Sequence, residues 1–212
     1  MKKSMAVLRF VILVAAGVLI IVSMKWPMWY MYLDSNNFPN GIGMAVWATH
    51  PGDPADIDQL DGGLKEINVL NHFIGMREIS KETMPIFSIL PALLVLAAIL
   101  CVVTAFIRKL WMSLANVLVM GAISGWGVFM LFYNLYTFGH DLDPKAAIKI
   151  DPFMPGIYGE HKLAQFTTYS DFYWGTYLLV VAMLLMLAAL AIDYSTLRRV
   201  SEPQLPSGGS KE

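Results

Sequence analysis

Residues 86–132 read IFSILPALLVLAAILCVVTAF, then IRK, then LWMSLANVLVMGAISGWGVFMLF. As a helix, each flanking run is long enough to cross a hydrocarbon core of roughly 30 Å, which takes about 20 residues at ~1.5 Å each. Ile107, Arg108 and Lys109 allow only a tight reversal between them, so the two runs predict an antiparallel membrane hairpin. Working outward, two more apolar runs of similar length occupy 6–24 and 173–192. The fold class expected is therefore an all-α membrane protein with four transmembrane helices, at 6–24, 86–106, 110–132 and 173–192. Residues 1–5 lead in, 107–109 turn, 25–85 and 133–172 are loops that together make a small cap, and 193–212 form a tail.

Composition agrees with a bilayer environment. The 212 residues are 57% hydrophobic and 15% charged, with a mean hydropathy of +0.56, too apolar for an ordinary soluble domain. Net charge is -1 and no basic tract is long enough to grip a phosphate backbone, so no nucleic-acid partner is expected. The single cysteine, Cys101, lies in an apolar run, which excludes an internal disulfide and a thiolate cluster. No small-x-small cleavage site precedes Lys25, so the first span is expected to remain as an anchor.

Charge sets the expected orientation. Lys2, Lys3 and Arg9, the Arg108-Lys109 hinge, and Arg198 and Arg199 share one side, which carries eight basic and three acidic residues against seven and thirteen on the other. The positive-inside rule then places both termini in the cytoplasm and both loops in the periplasm of a bacterial inner membrane. Trp26, Trp29, Tyr30, Tyr32, Tyr133, Tyr136, Phe172, Tyr173 and Trp174 cluster at the loop ends of the spans, as interface anchors do. The tail from Ser201, with Pro203, Pro206 and Gly208-Gly209, is predicted to be disordered.

The spans carry little chemistry. Spans two to four have no ionisable residue at their centres, so a proton or ion relay finds no support. His50, His72, His140 and His161 all lie in the loops, which excludes haem clamped in the bilayer by two imidazoles. Gly121 and Gly125, with Ser124 and Gly127, form a small-residue face suited to close approach of another helix, including one of another membrane subunit, the alternative being a gap for a ligand. Asn116 and Asn134 are expected to form interhelical hydrogen bonds.

The loops are more informative. In 25–85, turn signals at Asn40-Gly41 and Pro51-Gly52-Asp53-Pro54 bracket an apolar segment at 42–47, suggesting a hairpin. From Leu64 the spacing becomes helical and runs into Leu70-Asn71-His72-Phe73-Ile74-Gly75-Met76. If that helix continues, His72 and Met76 share a face, and an imidazole with a thioether suits copper, with Met44, Met31 or Met84 able to complete a low-coordinate site. The plain alternative has His72 bonded to a loop carbonyl and Met76 packed on the membrane surface. In 133–172, the Asp-Pro steps and prolines favour an extended strap. His140 with Asp141 and Asp143 is a weaker cation candidate, because Asp-x-Asp-Pro is ordinary turn chemistry. His161 is expected on the surface. No catalytic motif is present, so an enzyme is not expected.

Gly63-Leu64 and the element at 70–76, together with Gly139-His140-x-Leu142-Asp143-Pro144, Ile148-Lys149 and Pro152-Phe153-x-Pro155, resemble a group of small bacterial four-span proteins. These are encoded with nitrous oxide reductase of the Sec-exported type, a periplasmic copper enzyme. The resemblance implies an accessory role: copper handling, docking of a periplasmic copper protein or c-type cytochrome, or electron delivery. Copper at His72 and Met76 gains weight from it. The alternative is a structural or quinol-interacting subunit of a larger respiratory complex, with no metal site of its own.

Overall fold

The computed structural model describes residues 3–163 and 166–201, and the tail expected to be disordered lies, from residue 202 onward, outside the described residues. Four helices are long and apolar enough to cross a membrane: α1 (Lys3–Ser23), α3 (Ile86–Phe106), α4 (Leu110–His140) and α5 (Trp174–Ser201). Between α1 and α3 come strands β1 (Trp29–Ser35), β2 (Phe38–Val46) and β3 (Pro51–Gly52), then a shorter helix α2 (Leu64–Ile74). Strands β4 (Gly159–Leu163) and β5 (Phe166–Phe172) precede α5.

The expectation of an all-α protein is overturned. Both loops contribute to one antiparallel sheet of five strands in the order β3-β2-β1-β5-β4, so the fold is mixed α/β. Its centre is β1, which pairs Trp29 with Val46 on one side and Trp29 with Phe172 on the other. The segment Trp29-Tyr30-Met31-Tyr32-Leu33 is aromatic and apolar on both faces: Met31 and Leu33 pack on the core under α2, and Tyr30 and Tyr32 join a tyrosine cluster on the other side. The same residue types form interface belts, so in sequence this strand resembles a row of interface anchors.

The hairpin in the first loop is also differently placed. Its turn is Asn36-Asn37, whereas Asn40-Gly41 lies inside β2. The second loop is a strap only from 141 to 158, after which β4 and β5 form a hairpin. At the other end of that loop α4 runs eight residues past Phe132, so about 46 Å of helix carries Tyr133 to His140 beyond a ~30 Å core.

The helices form a ring in which α1 packs on α3 and α5, and α4 packs on the same two from the opposite corner. Small residues at the centre, Ala16, Ala97, Ala98, Ala182 and Gly17, bring the axes close, with Met120 and Met186 filling the remainder. Leu96, Leu118 and Leu184 point outward and are more than half exposed, as hydrocarbon solvent requires. Asn116 reaches across to Cys101 of α3, with Nδ2 to Sγ at 3.5 Å, while Asn134 bonds back to the Met130 carbonyl of its own helix.

At the hairpin end, α1, α3, α4 and α5 meet in one polar knot. Arg9 is 1% exposed; its Nε lies 2.7 Å from Asp193 Oδ1 in an ion pair that is not an aligned hydrogen bond. Its Nη atoms donate to the carbonyls of Thr104, Ala105 and Ile107 and to Ser113 Oγ. Ser113 in turn donates to Asp193 Oδ2 at 2.5 Å. The three carbonyls belong to the C-terminal end of α3, where helix dipoles favour a cation.

The cap is tied to the bundle by backbone bonds. Met28 donates to Val46, Tyr173 to Met28, and Gly175 to Pro27, and Trp29 Nε1 donates to the Ile157 carbonyl at 2.7 Å. On one face of the sheet Ile42, Met44 and Ile67 form a buried core under α2. The first turn of α2 is held by two carboxylates: Asp53 accepts from the Leu64 N–H and Glu66 from the Gly63 N–H, both at 2.8 Å. The Gly63 N–H holds the Glu66 carboxyl below the usual range. Its stabilisation is therefore complete above the ordinary carboxylate range and is lost as pH falls through the lowered value. Glu66→Gln is expected to cost α2 roughly 0.3–1 kcal/mol near neutrality and to remove that acid dependence, measurable as faster amide exchange along α2.

Candidate functional site

An open cleft of about 810 Å³ lies between α2, the β2–β3 turn and the segment after α2. His50, His72 and Met76 all line it. His50 sits in the turn between β2 and β3, where its Nδ1 lies 2.8 Å from Thr49 Oγ1 and its ring stacks on Trp47 at 5.0 Å and 6°. His72 is exposed on the last turn of α2.

Met76 is not on that helix. Gly75, at φ 82°, ends α2 in the left-handed conformation, and the Met76 N–H closes the turn on the Asn71 carbonyl at 2.8 Å. The expected i, i+4 face is thus replaced by a turn that still leaves both side chains on one cleft. Asn68 fixes the far wall by gripping Ile79 at both backbone atoms, N–H to Oδ1 at 2.8 Å and Nδ2 to the carbonyl at 3.0 Å. The second loop braces the same turn, as Asp143 donates to the Gly75 carbonyl and Ile148 to that of Phe73.

The other sequence candidates lie elsewhere. Met44 is 3% exposed in the cap core with Ile42 and Ile67, and Met31 packs against that core. Met84 lines a separate chamber in the bundle. His140 stacks on Tyr136 at 3.9 Å, with its Nδ1 2.9 Å from the Tyr136 carbonyl. Asp141 pairs with Arg77 on the surface, and Asp143 Oδ1 accepts from the Lys145 N–H in an Asx turn. His161 is exposed on β4, and its Nε2 lies 3.0 Å from the Tyr158 carbonyl. Among the described residues no three or more His, Cys, Asp or Glu side chains gather as a metal site. The cleft lining thus offers two imidazoles and one thioether together with the carboxylates of Glu78 and of Asp53, the latter already accepting from the Leu64 N–H.

No protein-family model matches the chain, and comparison with curated proteins finds no significant match.

Sequence reasoning missed two features of the cap. His50 reaches the cleft only because β2 pairs with β3, and the short strand Pro51–Gly52 gives no periodic signal. On the sheet face opposite α2, Tyr30 meets Tyr32, Tyr169 and Tyr173 with ring centroids 5.2 to 6.3 Å apart. Burial, with Tyr169 and Asp171 adding to it, pushes the Tyr30 hydroxyl up to about 12. Tyr32 is raised further by burial and by its 2.6 Å hydrogen bond to Asp56, so both hydroxyls stay protonated donors.

Proposed function

We propose that the protein is a non-enzymatic membrane accessory protein whose cap faces the periplasm and handles Cu(I) in support of a copper enzyme of the nitrous oxide reductase type. The observation that supports this is that His50, His72 and Met76, from a turn, a helix and a post-helical segment, line the same open cleft. Neutral imidazole and thioether are the ligands that Cu(I) prefers, and an open cleft allows a partner to receive the ion. The charge asymmetry of the sequence supports the orientation, and the resemblance of the 70–76 and 139–155 segments supports the enzyme class.

Titrating the detergent-purified protein with Cu(I) against a competing chelator tests the reading. Each of His50→Ala, His72→Ala and Met76→Ala is expected to weaken binding by about tenfold or more, at least ~1.4 kcal/mol per ligand. Met44→Leu and His140→Ala are expected to leave it unchanged. Wild-type protein that does not compete for Cu(I) rules the proposal out. Single cysteines placed beside His72 and beside Lys109 test the orientation; only the first is expected to react with an impermeant reagent added outside the cell.

A second reading has its own support. Gly125 on α4 has no atom within 4 Å of where a Cβ would stand, and Gly121 meets only the Met183 methyl. That small-residue strip is uncovered among the described residues, which suits a structural subunit packing against another membrane protein.

A further inference from the structure

Beneath the sheet, within the helix ring, lies a second chamber of about 350 Å³ enclosed by α3, α4 and α5. Trp29 and Trp47 roof it, and Leu94 and Ile123, 1% and 6% exposed, mark its floor. It exists because α4 presents Ser124 and Gly127 where larger side chains would meet α3: a Cβ on Gly127 would come only to 4.0 Å of Leu90. The lining is almost wholly apolar, and two of its polar side chains are already engaged. Asn134 donates to the Met130 carbonyl and Thr176 to that of Met28. At one side Val128 of α4 and Val180 and Leu184 of α5 line the chamber and are each at least half exposed, so it opens laterally between those helices.

A void of this size forfeits contacts of the side chains that face it, and one this apolar offers water too few partners to fill it. Its mouth faces the hydrocarbon in which the helices are dissolved. We propose that the chamber is a binding site for one hydrocarbon chain of a membrane lipid, acyl or polyprenyl, inserted between α4 and α5 and ending beneath Trp29 and Trp47. Its volume is at the lower end of the ~300–1,000 Å³ typical of ligand pockets, which suits a single chain and not a head group. The occupant does not depend on whether the cleft above holds copper.

The full-length protein is placed in phosphatidylcholine nanodiscs carrying either a diazirine-acyl phosphatidylcholine or a diazirine-bearing polyprenyl lipid, photolysed, and its adducts mapped by mass spectrometry. Adducts are expected at Leu94 and Ile123 with at least one probe, and the probe that labels identifies the source of the chain. Gly127→Phe, which fills the chamber, and Val180→Trp, which blocks its mouth from an exposed position, are expected to reduce those adducts about tenfold. That equals ~1.4 kcal/mol of lost affinity. Adducts at outward-facing Leu118 should not change. Labelling confined to outward-facing residues with both probes overturns the proposal, as does labelling of Leu94 and Ile123 that persists in folded variants. If Gly127→Phe fails to fold, Val180→Trp decides.

Discussion

Asp193→Asn is expected to lower the melting temperature of the purified protein by about 10 °C. Arg9 and Asp193 are 1% and 8% exposed, and removing one member of such a pair leaves the other charge buried without compensation, a cost of about 3–5 kcal/mol. At roughly 2–4 °C per kcal/mol for a chain of this size, the shift follows. The carbonyls of Thr104, Ala105 and Ile107 keep solvating the guanidinium, which places the loss at the lower end of that range. Replacing both partners, Arg9→Met with Asp193→Leu, removes the stranded charge, so the double variant should recover most of the loss. A double variant no more stable than Asp193→Asn would show that the knot acts through Ser113 and the α3 carbonyls and not through the ion pair.

Gly75→Ala should open the cap while leaving the bundle folded. Two costs coincide there: a side chain in the left-handed region, about 1–2 kcal/mol, and a Cβ placed 2.9 Å from both Asp143 N and Asp143 O. The second loop must retreat, which removes the Asp143 to Gly75 hydrogen bond and moves one wall of the cleft. Gly159 is the natural control, since it has the same φ of 82° but nothing within 4 Å of its Cβ position. Amide exchange at Asp143 and Ile148 should therefore accelerate far more in Gly75→Ala than in Gly159→Ala. Equal effects would mean that conformation alone, and not the docking of the second loop, makes Gly75 necessary.

The four long helices were legible because some twenty consecutive apolar residues have few other uses. The sheet was not. β1 has no polar alternation, its outer face being a tyrosine cluster, and its partner β5 lies more than 130 residues further along the chain, a pairing that no local pattern encodes. Arg9 and Asp193 were legible as charges at one end of the spans. Their union depends on the ring arrangement that sets α1 beside α5. Ligand type alone singled out His72 and Met76, and both line one cleft although the helix expected to link them ends at Gly75. His50 needed the tertiary fold to join them.

The pairing of β1 with β5 also imposes a schedule. Trp29 leaves the ribosome long before Phe172, and at ~5–20 residues per second the interval is on the order of ten to thirty seconds. Throughout that time β1 has an open edge of unbonded amides and carbonyls rimmed by Tyr30, Met31 and Tyr32, the kind of surface to which foreign strands add. That edge of β1 is closed only when the second loop delivers β5, so the sheet is completed late in synthesis.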